Sequence, residues 1–137
     1  MLMMKTNYLE TLPSFLVFFG IALLLLAVFT VIYVWITPHK EFTLIRAGNT
    51  AAAISFAGAV IGFVIPLASV IAHSLNIIDM LVWGVVAMIA QVAVFAIARW
   101  LMPDLLKTIE AGQIAPAATL ASFSLAIGIL NAACMVY

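Results

Sequence analysis

Apolar residues along the chain are gathered into four long stretches, and polar residues lie mostly in the short connections between them. A membrane-spanning α-helix needs about 20 mostly apolar residues, because it rises about 1.5 Å per residue through about 30 Å of hydrocarbon. Strands of globular proteins are much shorter than these stretches. The pattern therefore predicts four transmembrane spans, numbered one to four: Ser14 to Thr37, Gly48 to Ala72, Met80 to Met102 and Ile114 to Tyr137.

The connections are too short to hold a soluble domain, so we expect any function to lie within the membrane or at its two faces. The predicted organisation is an N-terminal tail (1–13), a first two-span unit (14–72), an outer loop (73–79) and a second two-span unit (80–137). The expected fold class is an all-α membrane protein of four transmembrane helices, built as two tandem helical hairpins.

An internal duplication is indicated by residues 45–57 and 109–121, which align at an offset of 64 positions. Gly48 aligns with Gly112 in this comparison. Because an even number of crossings separates the copies, they are expected to be parallel in the membrane. A Trp-x-x-Pro pattern also precedes each copy, at Trp35–Pro38 and Trp100–Pro103.

Small residues in spans two and four predict close helix packing. In lipid there is no hydrophobic driving force for helix association, so helices associate through close packing of their backbones, which small side chains allow. We therefore interpret spans two and four as inner helices and the bulkier spans one and three as lipid-facing. Packing within one chain and packing between copies in a homo-oligomer both remain open. The glycines assigned to helix packing are Gly48, Gly58, Gly62, Gly112 and Gly128.

The composition is 68% hydrophobic and 7% charged, and five basic residues balance five acidic ones. A soluble domain carries about 25% charged residues, and a disordered chain carries far fewer apolar ones. Zero net charge gives no electrostatic basis for binding nucleic acid. The single cysteine excludes an intrachain disulfide and a cysteine metal cluster. The lipid bilayer is therefore the expected environment.

The positive charges predict an orientation, since lysine and arginine favour the cytoplasmic side. One basic residue, Lys5, lies in the tail, and the others lie in or beside connections one and three: Lys40, Arg46, Arg99 and Lys107. Both termini are therefore expected on the outer, periplasmic side. Arg46 and Glu110 occupy matching places in the two repeats, and they are a candidate ion pair between the repeats.

Three amides are the candidate functional residues within the spans: Asn49, Gln91 and Asn131. Each could line a polar path for a small solute, or each could clamp helices together, since an amide in hydrocarbon needs hydrogen-bond partners. Asn49 and the matching Gln113 are also expected to cap helix starts. No carboxylate is expected deep in a span, which argues against a proton-coupled exporter.

The sequence contains no nucleophile–base pair, phosphate-binding glycine loop or metal-ligand motif that would indicate an active site. We therefore expect no catalytic residues, no metal, no cofactor and no enzymatic activity.

Several motifs taken together resemble the YjfL-type family of small bacterial inner-membrane proteins, domain of unknown function 350. They are the stretch 47–54, the segment Gly58 to Pro66, Trp83-Gly84, Gln91 and the closing segment Gly128 to Met135. The resemblance implies two tandem copies of a two-span unit in a bacterial inner membrane, and it hints at an envelope partner. It assigns no role to any residue.

Two functions are consistent with these observations. The first is a non-catalytic membrane subunit or scaffold that self-associates or packs with a membrane or envelope protein. The second is a small channel or carrier for a small solute or ion, with a polar path near Gln91 and Asn131.

Overall fold

The computed structural model describes residues 8–37, 41–74 and 76–135, with side chains from Thr11 onward. These residues form six helices and no strand: α1 (Tyr8–Ile36), α2 (Glu41–Arg46), α3 (Thr50–His73), α4 (Ile77–Leu101), α5 (Leu105–Glu110) and α6 (Ile114–Cys134). The helices α1, α3, α4 and α6 are long and apolar enough to cross a membrane. They correspond to spans one to four, so the predicted all-α membrane fold is confirmed.

Some predictions fall outside the described residues. They concern Lys5, Pro38, Lys40, Tyr137 and the start of the N-terminal tail.

The most extensive helix contact within the described residues joins α3 to α6. Gly58 lies against Ala121, and Gly62 lies against Ser124 and Gly128, so the two helices run in the same direction. Close contact is possible because neither helix carries a large side chain at these positions. The central pairing therefore joins one helix from each predicted two-span unit, and the arrangement as two tandem hairpins stays a prediction.

The division into inner and lipid-facing spans is only partly right. Within an apolar 18-residue window of each helix, the share of buried residues is 44% in α3 and 17% in α1, as the prediction requires, but it is 39% in α4 and 28% in α6. Helix α4 packs against both α3 and α6. It is therefore a core helix, whereas α6 contacts α3 with one face and leaves another face exposed.

Aromatic rings attach α1 to this core. Phe29 stacks on Phe63 of α3 at a centroid distance of 4.6 Å, and Tyr33 meets Phe95 of α4 edge-on at 5.8 Å. Offset and edge-to-face ring pairs of this kind add about 0.5–1.5 kcal/mol to the burial of the rings themselves. The C-terminal part of α1 is thus fixed to two helices, although most of the surface of α1 is exposed.

Candidate functional site

The Gln91 side chain lies at the junction of three helices. It projects from the middle of α4, is only 3% exposed, and donates two hydrogen bonds from Nε2. One bond goes to the Gly62 carbonyl of α3 and the other to the Ser124 carbonyl of α6, each at 3.0 Å. A single amide therefore links α4 to both helices of the central pair. Hydrogen bonds of this kind are those expected of a helix clamp, and whether Gln91 also lines a path stays a prediction.

The Gly62 carbonyl needs such a donor because of Pro66. In an α-helix, the carbonyl of one residue accepts from the N–H four residues later, and proline has no N–H. Pro66 lies inside α3 four residues after Gly62, so it cannot provide that hydrogen bond. Proline is tolerated in membrane helices when a neighbouring group satisfies the freed carbonyl. Gln91 supplies that group here.

Three of the predicted packing glycines lie where α3 and α6 meet. A Cβ added at Gly58 would overlap Ala121, and one added at Gly62 would overlap the Ser124 backbone. A Cβ added at Gly128 would overlap the Gly62 carbonyl. The structure thus places Gly58, Gly62 and Gly128 where the backbones of α3 and α6 approach each other most closely.

The assignment of Gly48 and Gly112 to helix packing is wrong. Both are exposed, and a Cβ added to either would meet nothing within 4 Å. Their φ angles are +88° and +83°, a left-handed conformation that costs other residues about 1–2 kcal/mol. Each glycine lies between a short helix and a long one, in the glycine turns 47–49 and 111–113.

The two glycine turns have the same backbone hydrogen bonds at the offset of 64 positions. In both turns the glycine N–H donates at 3.0 Å and the following N–H donates at 2.9 Å to the residue five positions earlier. The donor–acceptor pairs are Gly48–Ile45 and Asn49–Leu44 in the first turn, and Gly112–Ile109 and Gln113–Thr108 in the second. This shared geometry is what a duplication predicts, and the duplication itself stays a prediction.

Asn49 caps α3, whereas Gln113 does not cap α6. The Asn49 Oδ1 accepts from the Ala52 N–H at 3.0 Å, as expected of a helix-capping residue. Gln113 occupies the matching position but makes no capping hydrogen bond with its side chain. Glutamine is longer than the side chains that favour this position, so the predicted equivalence fails at this point.

Asn49 also joins the first glycine turn to the end of α5, a connection that the proposed ion pair does not make. Its Nδ2 donates to the Ile109 carbonyl at 3.0 Å and to the Glu110 carbonyl at 3.2 Å. The Arg46 Nε instead donates to the Phe42 carbonyl of its own helix at 3.3 Å, and Arg46 and Glu110 form no ion pair in the described structure. The contact between the first glycine turn and α5 is therefore made by an amide and backbone carbonyls.

Asn131 is half-buried near the end of α6. Its Nδ2 is buried and has no hydrogen-bond partner among the described residues, and the same is true of the Gln91 Oε1. Among the three candidate amides Asn49, Gln91 and Asn131, these are the two buried side-chain atoms that lack a hydrogen-bond partner in the described structure. The structure does not bring Asn49, Gln91 and Asn131 together in one site, since each lies at a different level of the bundle.

A buried polar cluster that the sequence did not predict lies where α1, α2 and α3 meet. The Glu41 side chain is fully buried, and so is Ser55. The Tyr33 hydroxyl lies within reach of the Ser55 side chain and close to the Glu41 carboxylate. An acidic residue at the start of a short helix was the available signal, since negative charge favours a helix N-terminus. Its burial depends on α1 and could not be read from that position.

The described residues contain no group of three or more His, Cys, Asp or Glu side chains that could hold a metal ion. The hydrogen bonds of Asn49 and Gln91 to other elements are amide-to-carbonyl bonds. Such bonds can fix the position of helices.

Comparison with known proteins gives a family and relatives. Residues 7–135 match the family model DUF350, Domain of Unknown Function. Two relatives, both called "UPF0719 inner membrane protein YjfL", come from Escherichia coli strain K12 and Escherichia coli O157:H7. Each is 40% identical over 131 residues, which cover 96% of this chain and 99% of the relative. No solved structure matches. With its four candidate spans, the chain belongs to the DUF350 family and is a multi-pass inner membrane protein.

Proposed function

We propose that this protein is a non-catalytic membrane subunit or scaffold that self-associates or packs with a membrane or envelope protein. The observation that carries the proposal is the position of the Gln91 amide. It is buried between α3, α4 and α6, and both of its N–H groups are used by helix carbonyls. A residue that lined a water-filled path would be exposed to that path.

Close packing on both sides of Gln91 supports the same conclusion. The glycines Gly62 and Gly128 bring α3 and α6 into backbone contact beside it. The buried aromatic pair Phe29 and Phe63 lies between α1 and α3. A solute crossing the bundle at this level would have to separate helices that are in van der Waals contact.

Self-association is supported by the face of α6 that the bundle leaves uncovered. Ser124 and Gly128 point into the bundle, whereas Ser122 and Ala126 are exposed and Ala118 is partly exposed. These three residues are spaced four apart, so they form one small-residue face along the helix. Small residues allow close approach of a further helix in lipid. A second copy of this chain is the partner that we propose for this face.

Cross-linking tests that interface. Oxidation of a Ser122→Cys variant in native membranes, with Cys134 replaced by serine, should give a disulfide-linked dimer. Ser124→Cys is the matched control, because position 124 is only 3% exposed and should give no dimer. A dimer from both variants, or from neither, would contradict self-association through this face.

A channel or carrier for a small solute or ion is the second candidate. It is favoured by the unmatched Oε1 of Gln91 and Nδ2 of Asn131, since buried polar atoms usually have a partner. A hydrated ion or a polar solute could satisfy both atoms along a path. This candidate requires water at the level of Gln91, whereas the scaffold requires a dry contact.

Cysteine labelling separates the two candidates. The Ser124→Cys side chain would lie next to Gln91, and a small water-soluble thiol reagent should fail to label it in intact membranes. It should react once the protein is unfolded in detergent. The exposed native Cys134 is the positive control, and Ile89→Cys on α4, a position that is 64% exposed, is the control for a lipid-facing position near the level of Gln91. Labelling of Ser124→Cys in intact membranes would overturn the scaffold and support a path.

We also propose that both termini lie on the periplasmic side. The proposal rests on the basic residues beside connections one and three, among them Arg46 and Lys107. A reporter that is active only in the periplasm, fused to the C-terminus, should be active. A reporter that is active only in the cytoplasm, fused at the same place, should be inactive. Activity of the cytoplasmic reporter would contradict the proposed orientation.

A further inference from the structure

A groove opens on the surface between the end of α1 and the last turns of α4. Its volume is about 420 Å³, within the range of about 300–1,000 Å³ that ligand sites occupy. We call it the α1–α4 groove, and it is lined by Ile36, Val92, Phe95, Ala96, Arg99 and Trp100. From Val92 to Arg99 it extends about 10 Å along the helix axis. The groove is apolar along Val92, Phe95 and Ala96, and the positive charge of Arg99 lies towards the C-terminal end of α4.

Arg99 is the charged residue of this groove, and its guanidinium group is available. The side chain is exposed, and it makes no hydrogen bond or ion pair with another described residue. It lies in the last turn of α4, which ends at Leu101. A guanidinium has five N–H donors in a planar fork that matches phosphate oxygens.

Two tryptophans indicate that this end of the groove lies at the headgroup level. Trp100 is 79% exposed and Trp35, at the end of α1, is 85% exposed. Tryptophan is enriched at the membrane–water interface, because the ring is apolar and its N–H is polar. The groove therefore runs from the level of the lipid phosphates into the hydrocarbon.

We propose that the α1–α4 groove binds an anionic phospholipid. The acyl chain lies along Val92, Phe95 and Ala96, and the phosphate accepts hydrogen bonds from Arg99. Charge complementarity selects this occupant, since a basic residue beside a lipid-exposed groove favours anionic headgroups. The inference does not depend on the scaffold proposal, because the residues lining the groove include neither Gln91 nor any residue of α6.

A second groove on α4 provides an internal comparison. It lies between α4 and α6, has a volume of about 480 Å³, and is lined by apolar residues alone. Ala90, Ile97 and Phe123 are among them, and the lining includes no charged side chain. Lipid chains can fill this groove without any preference for the headgroup. The charge at Arg99 is what distinguishes the α1–α4 groove.

Fluorescence quenching by brominated lipids tests the proposal. The full-length protein would be reconstituted with Trp100 as its only tryptophan, by Trp35→Phe and Trp83→Phe substitutions. Quenching of Trp100 by brominated phosphatidylglycerol and by brominated phosphatidylcholine then gives a relative binding constant for the two lipids. We expect a preference of about fivefold for the anionic lipid, the size expected for one basic residue at the surface.

Three variants identify the source of that preference. Arg99→Gln should lower it to about one, and Lys107→Gln, which removes an exposed charge outside the groove, should leave it unchanged. Ala96→Phe fills the groove while keeping every charge, so it should also lower the preference. This variant tests the proposal independently, in case Arg99→Gln fails to fold. The proposal is overturned if the preference survives Arg99→Gln or Ala96→Phe, or if Lys107→Gln removes it equally.

Discussion

Gln91 donates a hydrogen bond to the carbonyl that Pro66 leaves without its helical partner. The acceptor is the Gly62 carbonyl, at 3.0 Å from Nε2. The proline lies on α3 and the glutamine on α4, so an internal defect of one helix is compensated by a side chain of another. The same amide also donates to Ser124 of α6. The side chain that replaces the missing hydrogen bond of α3 therefore also joins α3, α4 and α6.

This relationship predicts that the two residues are energetically coupled. Gln91→Leu should lower the free energy of unfolding by about 1–2 kcal/mol, since hydrogen bonds between membrane helices contribute about 0.6 kcal/mol on average and up to about 1.7 kcal/mol. In a Pro66→Ala background the Gly62 carbonyl regains a backbone donor, so the cost of Gln91→Leu should be smaller by about 0.5–1 kcal/mol. Reversible unfolding of the four proteins in mixed micelles gives this coupling.

The exposed Gln113→Leu provides a control for the chemical change of glutamine to leucine, and it should have little effect. An equal cost of Gln91→Leu in both backgrounds would contradict the role assigned to Pro66.

Gly128 should not tolerate a methyl group. Gly128→Ala brings a Cβ into the Gly62 carbonyl, and overpacking of this kind typically costs about 1–3 kcal/mol. Gly20 of α1 is the matched control, because a Cβ added there meets nothing within 4 Å. We expect Gly20→Ala to change the free energy of unfolding by less than about 0.5 kcal/mol. Similar losses for the two variants would show that α3 and α6 are not in close contact.

Asn49 and Gln113 occupy matching places, yet their substitution by alanine should have different effects. Asn49→Ala removes a helix cap and the bonds to the Ile109 and Glu110 carbonyls, so it should cost about 1–3 kcal/mol. Gln113→Ala removes no capping hydrogen bond and should cost less than about 0.5 kcal/mol. Thermal or detergent unfolding of both variants measures the difference, and equal losses would argue that the turns are equivalent.

The two turn glycines, in contrast, should respond alike. Gly48→Ala and Gly112→Ala each force a Cβ into the left-handed region, at a cost of about 1–2 kcal/mol. Asparagine tolerates this conformation better, so Gly48→Asn and Gly112→Asn should recover part of the loss. The unfolding free energies of the four variants test this, and a loss confined to one turn would contradict the shared geometry.

The number of spans and their approximate bounds could be predicted from the sequence, because bilayer thickness and helix rise set the length of a span, and an apolar run of that length is a local property of the sequence. Gln91 was also identifiable, since an amide in the middle of an apolar span needs partners. Its partners were not identifiable. They depend on Pro66, which frees a carbonyl, and on the helices that happen to lie beside it.

Tertiary structure decided which face of α6 is buried in the bundle and which face is exposed. Two small-residue patterns overlap in this helix, and both satisfy the spacing that predicts close packing. Only the assembled bundle places Ser124 and Gly128 inside and leaves Ser122 and Ala126 exposed. The burial of Glu41 was decided in the same way, because it requires α1 and α3 to cover a residue that lies outside every span.

By itself, then, the sequence determined that this chain crosses a membrane four times, which residues are small enough for helices to meet, and where polar groups enter the apolar layer. Hydropathy and side-chain size are properties of each residue, so the pattern alone carries them. The tertiary structure decided which helices meet, which carbonyls receive the Gln91 amide, and that Asn49 rather than Arg46 links the first glycine turn to the end of α5. Such pairings join residues distant in sequence, and they exist only once the helices are packed.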